Sequence, residues 1–395
     1  MFDEQDCKSM NKNLKNALIT VALLTALGGG LFYSTLDRKQ ETASRTAIAD
    51  ETRRAAQMVE LSGLIAVDVE PFFKDERVVK LLYENNFRAN VIRIGSREMA
   101  GRVAKDTAPD FFMPSGVVAG NQISEAAKKA GYTTATYSPY FTPLVIASWV
   151  PIAKILAANK IAAPVGEGGS KDNIYDVDLV GLTNLMLSKK RWRDLAQSQA
   201  YEVSRSVLVS TTDVRKSNSA AMYLALTSYA INGSEVISNM ESARKIALQV
   251  ADLYKRQGYQ ESYVNGNFDD YVGIGIGKTP LAFIYENQLV GYAIGRKAVD
   301  KEMVLMYPKP TIFNKVIVVT MREKAKPFAE LLSSNPQLQA IATEYGFRTS
   351  IAAALPEAAN KVGLVIKPRI VDVIDPPSYE IMAEMIDVIA KEMKN

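Results

Sequence analysis

The stretch "GLIAVDVEPFFKDERVVKLLYENNFRANVIRI" (residues 63–94) changes its hydrophobic pattern twice. Residues 63–69 are apolar and β-branched, which is typical of a buried strand. Residues 75–86 carry apolar side chains at helical spacing, and residues 87–94 return to a strand pattern. The same alternation continues to residue 138. Strands that alternate with helices at this spacing predict an α/β fold built on a parallel, doubly wound sheet.

The composition excludes several classes of function. The chain has 395 residues, enough for about two domains, and its 47 basic and 43 acidic residues give no indication of a nucleic-acid partner. It contains no histidine, which excludes Ser-His-Asp and Cys-His catalysis and histidine-ligated zinc. The single cysteine, Cys7, cannot form an internal disulfide. We therefore expect no metal site and no cofactor.

An uncharged segment near the N-terminus predicts a membrane anchor. Residues 16–36 carry no charged side chain, and as a helix they would span about 30 Å, the thickness of a bilayer core. No clear cleavage site follows, so we expect the segment to be retained in the mature protein. Basic residues flank both of its ends almost equally, so charge does not decide its orientation. Residues 1–15 form a short tail before the anchor, and residues 37–60 form a polar helical stalk after it.

The α/β pattern restarts in the second part of the chain. The segments "TPLVIASW" (142–149) and "TPLAFIYENQLVGYAI" (279–294) share their first three residues and a strand-like composition. We interpret them as two crossovers between two lobes. Residues 61–149 together with 285–395 then form lobe 1, and residues 150–284 form lobe 2.

Small polar side chains lie where three predicted strands are followed by helices. Ser96 with Arg97, Ser115, and the Ser-Asn-Ser triplet at 217–219 occupy these positions. Ser and Asn at a helix start commonly cap the N–H groups of the first turn, which explains each position separately. A helix N-terminus also attracts anions, and ligands of open α/β sheets bind beyond the carboxyl ends of the strands. A shared polar cleft is therefore the alternative interpretation.

Two other motifs do not predict a site. The segment "VGIGIGKT" (272–279) ends like a phosphate-binding loop, but Val272 occupies the position of the first required glycine. Pro280 would also block the helix that such a loop must precede. Adjacent Asp269 and Asp270 are typical of a solvated loop rather than of a metal site.

Seven segments between residues 63 and 380 match a known family in their order and spacing. They are "GLIAVDVEPFFKDERV" (63–78), "DFFMPSG" (110–116), "TTDVRKSNSAAMY" (211–223), "LAFIYENQL" (281–289), "VLMYPKPTIFNKVIVV" (304–319), "PQLQAIATEYGFR" (336–348) and "VDVIDPPSYE" (371–380). Together they resemble bacterial extracellular solute-binding proteins of the type 2 periplasmic-binding fold. The resemblance implies two α/β lobes hinged by two strands, with the ligand between them, and an extracytoplasmic location.

The resemblance implies a non-catalytic protein that closes two lobes around a small polar or anionic solute, for transport or sensing. The uncharged segment 16–36 predicts in addition that the protein is membrane-anchored. A membrane permease or another envelope protein would be its partner. The candidate ligand-binding residues are Glu70, Ser96, Arg97, Ser115, Thr142, Ser217, Asn218, Ser219, Tyr285 and Glu286, with Thr142, Tyr285 and Glu286 placed at the hinge.

Three questions stay open at the level of sequence. Arg97 and Arg215 favour an anionic ligand, whereas Glu70 and Glu286 favour a cation or hydroxyl groups. A hinge ion pair is the alternative role for Glu286. An uncleaved anchor departs from the family's usual cleaved signal or lipidated cysteine. Two alternative functions follow: a solute-binding fold reused as a scaffold of an envelope complex, and a carboxylate-based enzyme acting on a glycan.

Overall fold

The computed structural model describes residues 57–104, 106–165 and 174–394. The predicted tail (1–15), the predicted anchor (16–36) and residues 37–56 of the predicted stalk lie outside the described residues. No helix within the described ranges is long and apolar enough to cross a bilayer.

Nine strands and thirteen α-helices make up the described part of the chain. The strands are β1 (Val59–Ile65), β2 (Phe87–Arg93), β3 (Phe111–Met113), β4 (Ala135–Trp149), β5 (Ala162–Pro164), β6 (Ile174–Asp178), β7 (Leu281–Tyr285), β8 (Met303–Lys309) and β9 (Phe313–Thr320). The helices are α1 (Glu70–Lys74), α2 (Glu76–Glu84), α3 (Val117–Lys129), α4 (Val150–Ala158), α5 (Leu179–Leu187), α6 (Asn218–Ile231), α7 (Met240–Gln257), α8 (Val264–Gly273), α9 (Glu286–Arg296), α10 (Lys326–Ser334), α11 (Pro336–Glu344), α12 (Ala354–Lys361) and α13 (Tyr379–Glu392).

The strands form one continuous sheet of mixed direction. Its order is β2-β1-β3-β9-β4-β8-β6-β5, and β7 pairs with β4 beside that path. β1 is parallel to β3 and β6 is parallel to β8, but β9 is antiparallel to both β3 and β4. The predicted α/β class is confirmed, whereas the expectation of a wholly parallel sheet is wrong. The physical reason is that β9 joins the sheet from the C-terminal part of the chain, where it runs back along β4.

β4 joins the two halves of this sheet. One half contains β1, β2, β3 and β9, and the other contains β5, β6, β7 and β8. Residues 135–143 of β4 pair with β9, and residues 144–149 pair with β7 and β8. Leu144 and the next three residues are at most 2% exposed, because sheet neighbours and helices cover them. β8 and β9 follow one another back along β4 in the antiparallel direction. β5 and β6 therefore belong to the same continuous sheet as β1 rather than to a separate one.

The second connection between the two halves of the sheet, which runs back along β4, differs from the sequence-based expectation. Residues 279–294, the predicted second crossover, contain β7 and most of α9, and β8 with β9 makes the return instead. β8 pairs with β6, and α13 packs on α7, where Glu384 forms a 2.6 Å ion pair with Arg244. Parts of the segment 285–395, all of which was assigned to lobe 1, thus pack with elements of 150–284. Strand-like composition does not specify which strand a segment pairs with. The sequence pattern therefore placed the second crossover at residues 279–294 instead of at β8 and β9.

α6 holds its N-terminus in a fixed position because the helix is buried around most of its surface. Of its 14 residues, 11 are buried, and its apolar side chains share one core cluster with α7 and α13. A helix that is apolar on all sides packs inside a protein rather than on its surface. The start of α6 lies beside the residues that follow β1, β2 and β3, and these ends surround the cavity described next.

Candidate functional site

A small cavity lies where the residues after β1, β2 and β3 meet the N-terminus of α6. Its volume is about 60 Å³, enough for a few water molecules or a small ion. Seven of the candidate residues line it: Ser96, Arg97, Ser115, Ser217, Asn218, Ser219 and Tyr285. The structure thus brings together the three predicted polar positions. The strand predicted at residues 206–210, before the triplet, is not formed: Ser206 and Ser210 make only isolated bridges. Their role as ligand contacts stays a prediction.

Asp68 forms one wall of this cavity and is linked to two of the predicted serines. The Ser115 hydroxyl donates to the Asp68 carboxylate at 2.5 Å, and the Ser115 backbone N–H donates to Ser96 Oγ at 3.0 Å. Burial raises the pKa of the Asp68 carboxyl, although the hydrogen bond from Ser115 acts in the opposite direction. A carboxyl group with a raised pKa can hold a proton more readily and donate it in a hydrogen bond.

The N-terminus of α6 is not capped by a side chain. Ser217 is the N-cap residue, but its hydroxyl makes no capping hydrogen bond and lies 2.8 Å from Ser219 Oγ. Ser219 Oγ in turn lies 3.0 Å from Thr212 Oγ1. Within the described residues, the backbone N–H groups of Asn218, Ser219 and Ala220 have no hydrogen-bond partner. These donors carry the partial positive charge of the helix N-terminus. Asn218 and Ser219 line the cavity, whereas Ala220 is fully buried behind them.

Asn218 contacts both the helix α3 and strand β7 sides of the site. Its Nδ2 atom lies 3.4 Å from the hydroxyl of Tyr285, a long hydrogen bond. Gly116, with φ of +99°, precedes α3, and a Cβ atom there would lie 3.1 Å from Asn218 Nδ2. Burial, reinforced by the nearby Asp68 carboxylate, raises the pKa of the Tyr285 hydroxyl. Tyr285 therefore stays neutral and offers its hydroxyl as a hydrogen-bonding group.

Two cationic side chains border the cavity. Arg97 is exposed and donates from Nη1 to the Val214 carbonyl at 2.9 Å, and Lys216 donates to Ser262 Oγ at 3.3 Å. Arg215, the second arginine that favoured an anion, does not line the cavity. Its guanidinium is paired with Asp213 at 2.6 Å, which compensates its charge.

Three candidate residues lie outside the cavity lining because other groups hold them. Glu70 pairs with Lys74 at 2.8 Å and with Arg93, and the hydrogen bond from Lys74 contributes most to lowering the pKa of its carboxyl. Thr142 is fully buried, and its hydroxyl accepts the backbone N–H of Asn287 at 3.0 Å. The carboxyl group that lines the cavity is Asp68, which also follows β1 and is two residues before Glu70.

Glu286 forms a buried ion pair rather than part of the cavity. Arg348 donates to its two carboxylate oxygens at 2.6 and 2.9 Å, and the Tyr307 hydroxyl donates to it at 2.5 Å. Glu286 is 0% exposed and Arg348 is 7% exposed. Attraction to Glu286 raises the pKa of Arg348 although desolvation opposes it. The alternative role given to Glu286, an ion pair, is the one observed.

Within the described ranges, no group of three or more carboxylate, histidine or cysteine side chains could hold a metal ion. The donors around the cavity are hydroxyl, amide, guanidinium, ammonium and backbone N–H groups. This set suits an oxygen-rich or anionic solute better than a cation.

No family model matches the sequence, and no curated protein matches it. Solved structures do match. The chain is similar to the periplasmic binding protein P5PA, with 14% identity, a TM-score of 0.50, and coverage of 85% of this chain and 99% of that one. It is also similar to the sulfate-binding protein SubI from Mycobacterium tuberculosis (14% identity, TM-score 0.46, 78% and 92% of the two chains) and to a Bordetella ferric binding protein (11%, 0.43, 85% and 97%). The match to P5PA confirms the predicted type 2 periplasmic-binding fold.

Proposed function

We propose that this chain is a non-catalytic solute-binding protein that takes a small oxyanion in the cavity at the start of α6. The observation that carries the proposal is the pair of unpartnered N–H groups of Asn218 and Ser219 at the N-terminus of α6. Asn218 and Ser219 line the cavity, whose other polar walls are hydroxyl groups, the Asp68 carboxyl and two cationic side chains, Arg97 and Lys216. Convergent N–H donors at a helix N-terminus are a common binding arrangement for oxyanions.

Asp68 restricts the kind of anion that fits. An ionised carboxylate would repel an anion, but burial makes Asp68 easier to protonate. A ligand can therefore be accommodated in two ways. Either Asp68 donates its own proton to the ligand, or an acidic O–H group of the ligand donates to the Asp68 carboxylate. The first way accommodates any oxyanion, whereas the second requires one that carries a proton. An oxyanion that is protonated at neutral pH can therefore use both ways, and a fully deprotonated one only the first.

We propose a hinge motion for ligand entry and release. The two halves of the sheet meet along β4 and the return strands β8 and β9, so these strands are the connections about which two lobes can open. Residues after β1, β2 and β3 belong to one half, and α6 with β7 contributes the opposite wall. Closure would remove water from the ligand and strengthen each of its hydrogen bonds.

We propose that residues 16–36 retain the protein at the membrane, with the binding part outside the cytoplasm and a permease or envelope protein as partner. The uncharged segment and the absence of a clear cleavage site support this arrangement. Protein purified from its native membrane should keep its N-terminal segment and resist alkaline extraction. A mature N-terminus beyond Thr35 would contradict the anchor.

Isothermal titration of the full-length chain with phosphate, sulfate and molybdate tests the binding proposal, with glucose and glycine as neutral and zwitterionic comparisons. We expect at least one oxyanion to bind, and phosphate, which carries a proton at neutral pH, to bind more tightly than sulfate. Binding of glucose or glycine without binding of any oxyanion would overturn the proposal. No binding of any of the five would favour the scaffold alternative.

A further inference from the structure

A second cavity, separate from the first, lies beside the C-terminal end of α7. Its volume is about 330 Å³, and the cavity at the start of α6 shares none of its lining residues. The second cavity is bordered by the segment 205–211, by residues 256–261 at the end of α7, by Asn267 and Asp270 of α8, and by Lys278 and Pro280. A volume of this size is at the lower end of the range for small-molecule sites.

Four buried polar atoms at this cavity have no hydrogen-bond partner within the described residues. They are Thr211 Oγ1, Arg256 Nη1, Gln257 Nε2 and Gln260 Oε1, and all four side chains line the cavity. Thr211 is only 3% exposed. Nearly all buried polar groups in folded proteins are hydrogen-bonded, so four unpartnered atoms at one cavity point to an occupant.

Neighbouring contacts fix which of these atoms are donors and which is an acceptor. Gln257 Oε1 accepts the backbone N–H of Thr211 at 2.8 Å, so its Nε2 is left as a donor. Gln260 Nε2 donates to the Tyr254 carbonyl at 3.3 Å, so its Oε1 is left as an acceptor. Arg256 uses Nε for Asp252 and Nη2 for the Met186 carbonyl, which leaves Nη1 as a cationic donor. The site therefore offers two nitrogen donors, one acceptor and one hydroxyl.

Three other charged side chains of the cavity, Arg205, Lys278 and Asp270, make hydrogen bonds or ion pairs, and the half-buried Glu261 carboxylate also borders it. Arg205 donates from Nη1 to the Gly277 carbonyl at 2.6 Å and from Nη2 to the Lys278 carbonyl. Lys278 pairs with Asp270 at 2.5 Å. Among the described residues, Arg256 thus supplies the buried cationic donor that has no partner at this cavity. Its guanidinium, next to the Gln257 amide, suits a carboxylate, which can accept from both.

We propose that this second cavity binds a small carboxylic acid that carries a hydroxyl or amino group. The ligand carboxylate accepts from Arg256 Nη1 and Gln257 Nε2, and its hydroxyl or amino group donates to Gln260 Oε1. The Thr211 hydroxyl can hydrogen-bond either the carboxylate or the hydroxyl or amino group of the ligand, since a hydroxyl both donates and accepts. The site is independent of the oxyanion site at the start of α6.

Titration of the full-length chain with L-lactate, L-alanine and propionate tests this assignment, because the three molecules share a carboxylate and differ in one substituent. We expect lactate or alanine to bind at least tenfold more tightly than propionate. Gln260→Leu should abolish that preference by reducing the tighter ligand to the affinity of propionate. Gln257→Leu should weaken all three by a similar factor, since it removes a carboxylate donor.

Gln249→Leu is the matched control, because Gln249 lies exposed on α7, the helix that also carries Gln257, and the chemical change is identical. It should leave all affinities unchanged, and so should Asn218→Ala at the other site. Circular dichroism would verify that each variant is folded. The proposal is overturned if none of the three acids binds at millimolar concentration, as expected of a cavity that holds only water. It is equally overturned if lactate, alanine and propionate bind equally well, or if Gln260→Leu leaves the preference intact.

Discussion

The hydroxyl oxygen of Ser115 lies 2.5 Å from Oδ1 and 2.6 Å from Oδ2 of Asp68. The two residues are 47 positions apart in the chain, and the parallel pairing of β1 with β3 places them side by side, since each follows the end of its strand. This pair joins the polar groups of the cavity to a carboxyl group whose pKa is raised by burial. Of the contacts around the cavity, this pair most restricts the charge and protonation state of the ligand that can bind.

Asp68→Asn should stabilise the protein at neutral pH. The folded state raises the pKa of Asp68 above its ordinary value of 3.8, so the folded state binds the proton more tightly than the unfolded state does. Wild-type stability is therefore lost as the pH rises from about 3.8 through the folded-state pKa. Asn keeps an acceptor for Ser115 without the charge, and the gain over wild type should grow across this window.

Urea unfolding of wild type and Asp68→Asn at pH 4 and pH 7 measures the difference directly. Asp68→Ala serves as the control, since it removes both the charge and the acceptor for Ser115. If the difference in the free energy of unfolding between Asp68→Asn and wild type is the same at both pH values, burial of the Asp68 charge is not a destabilising factor.

Asn218→Ala should weaken oxyanion binding by about 1 to 3 kcal/mol, because a buried hydrogen bond to the ligand is lost. The melting temperature of the unliganded protein should hardly change, since Asn218 makes only a long hydrogen bond to Tyr285 at 3.4 Å. Calorimetry of binding and thermal unfolding would separate the two effects.

Asn239 offers a matched control for Asn218, because its Oδ1 caps α7 by accepting the Ser242 N–H at 2.9 Å. Asn239→Ala should cost about 1 kcal/mol of stability and leave oxyanion binding intact. Asn218 would be a structural residue, and not a ligand contact, if its alanine variant behaved like that of Asn239.

Glu286→Gln should lower the free energy of unfolding by about 3 to 5 kcal/mol, because it leaves the buried Arg348 cation uncompensated. Glu60→Gln is the surface control. Glu60 and Arg88 also form an ion pair, at 3.0 Å, but their side chains are 60% and 57% exposed, so the loss should stay within about 1 kcal/mol. Chemical denaturation of the two variants compares these costs, and equal losses would contradict the importance of burial.

Asp75→Ala should lower stability by about 1 kcal/mol at neutral pH, because Asp75 is the N-cap of α2 and accepts the Arg77 N–H at 2.8 Å. The Arg77 side chain, which hydrogen-bonds the same carboxylate, holds the pKa of Asp75 at about 2. The stabilisation by the charge is complete above the ordinary pKa of 3.8 and is lost as the pH falls through about 2.

Asp75→Asn separates the cap of α2 from the charge of Asp75, because an amide oxygen can still accept the Arg77 N–H. Unfolding measured between pH 2 and pH 6 should show less acid destabilisation for Asp75→Asn than for wild type. Identical pH dependence of the two proteins would exclude Asp75 as a source of acid sensitivity.

The sequence alone determined the α/β class, most strand positions, and the polar positions that follow β2 and β3 and that begin α6. These features are local, since strand and helix periodicities are written into a few consecutive residues. The same locality explains why Ser96, Ser115 and the triplet 217–219 were found before the structure. Ser96 and Ser115 follow β2 and β3, the triplet lies at the start of α6, and all of them line one cavity.

Only the tertiary structure decided which groups surround each site and how the strands pair. In the folded chain Asp68, and not Glu70, lines the cavity at the start of α6. Glu286 pairs with Arg348, which lies 62 residues away in the sequence. The tertiary structure also turned β9 antiparallel to β3 and β4, and it assembled the second cavity from separate segments of the chain. Strand direction, ion-pair choice and cavity lining depend on contacts between residues distant in sequence, and hydrophobic periodicity carries no information about those contacts.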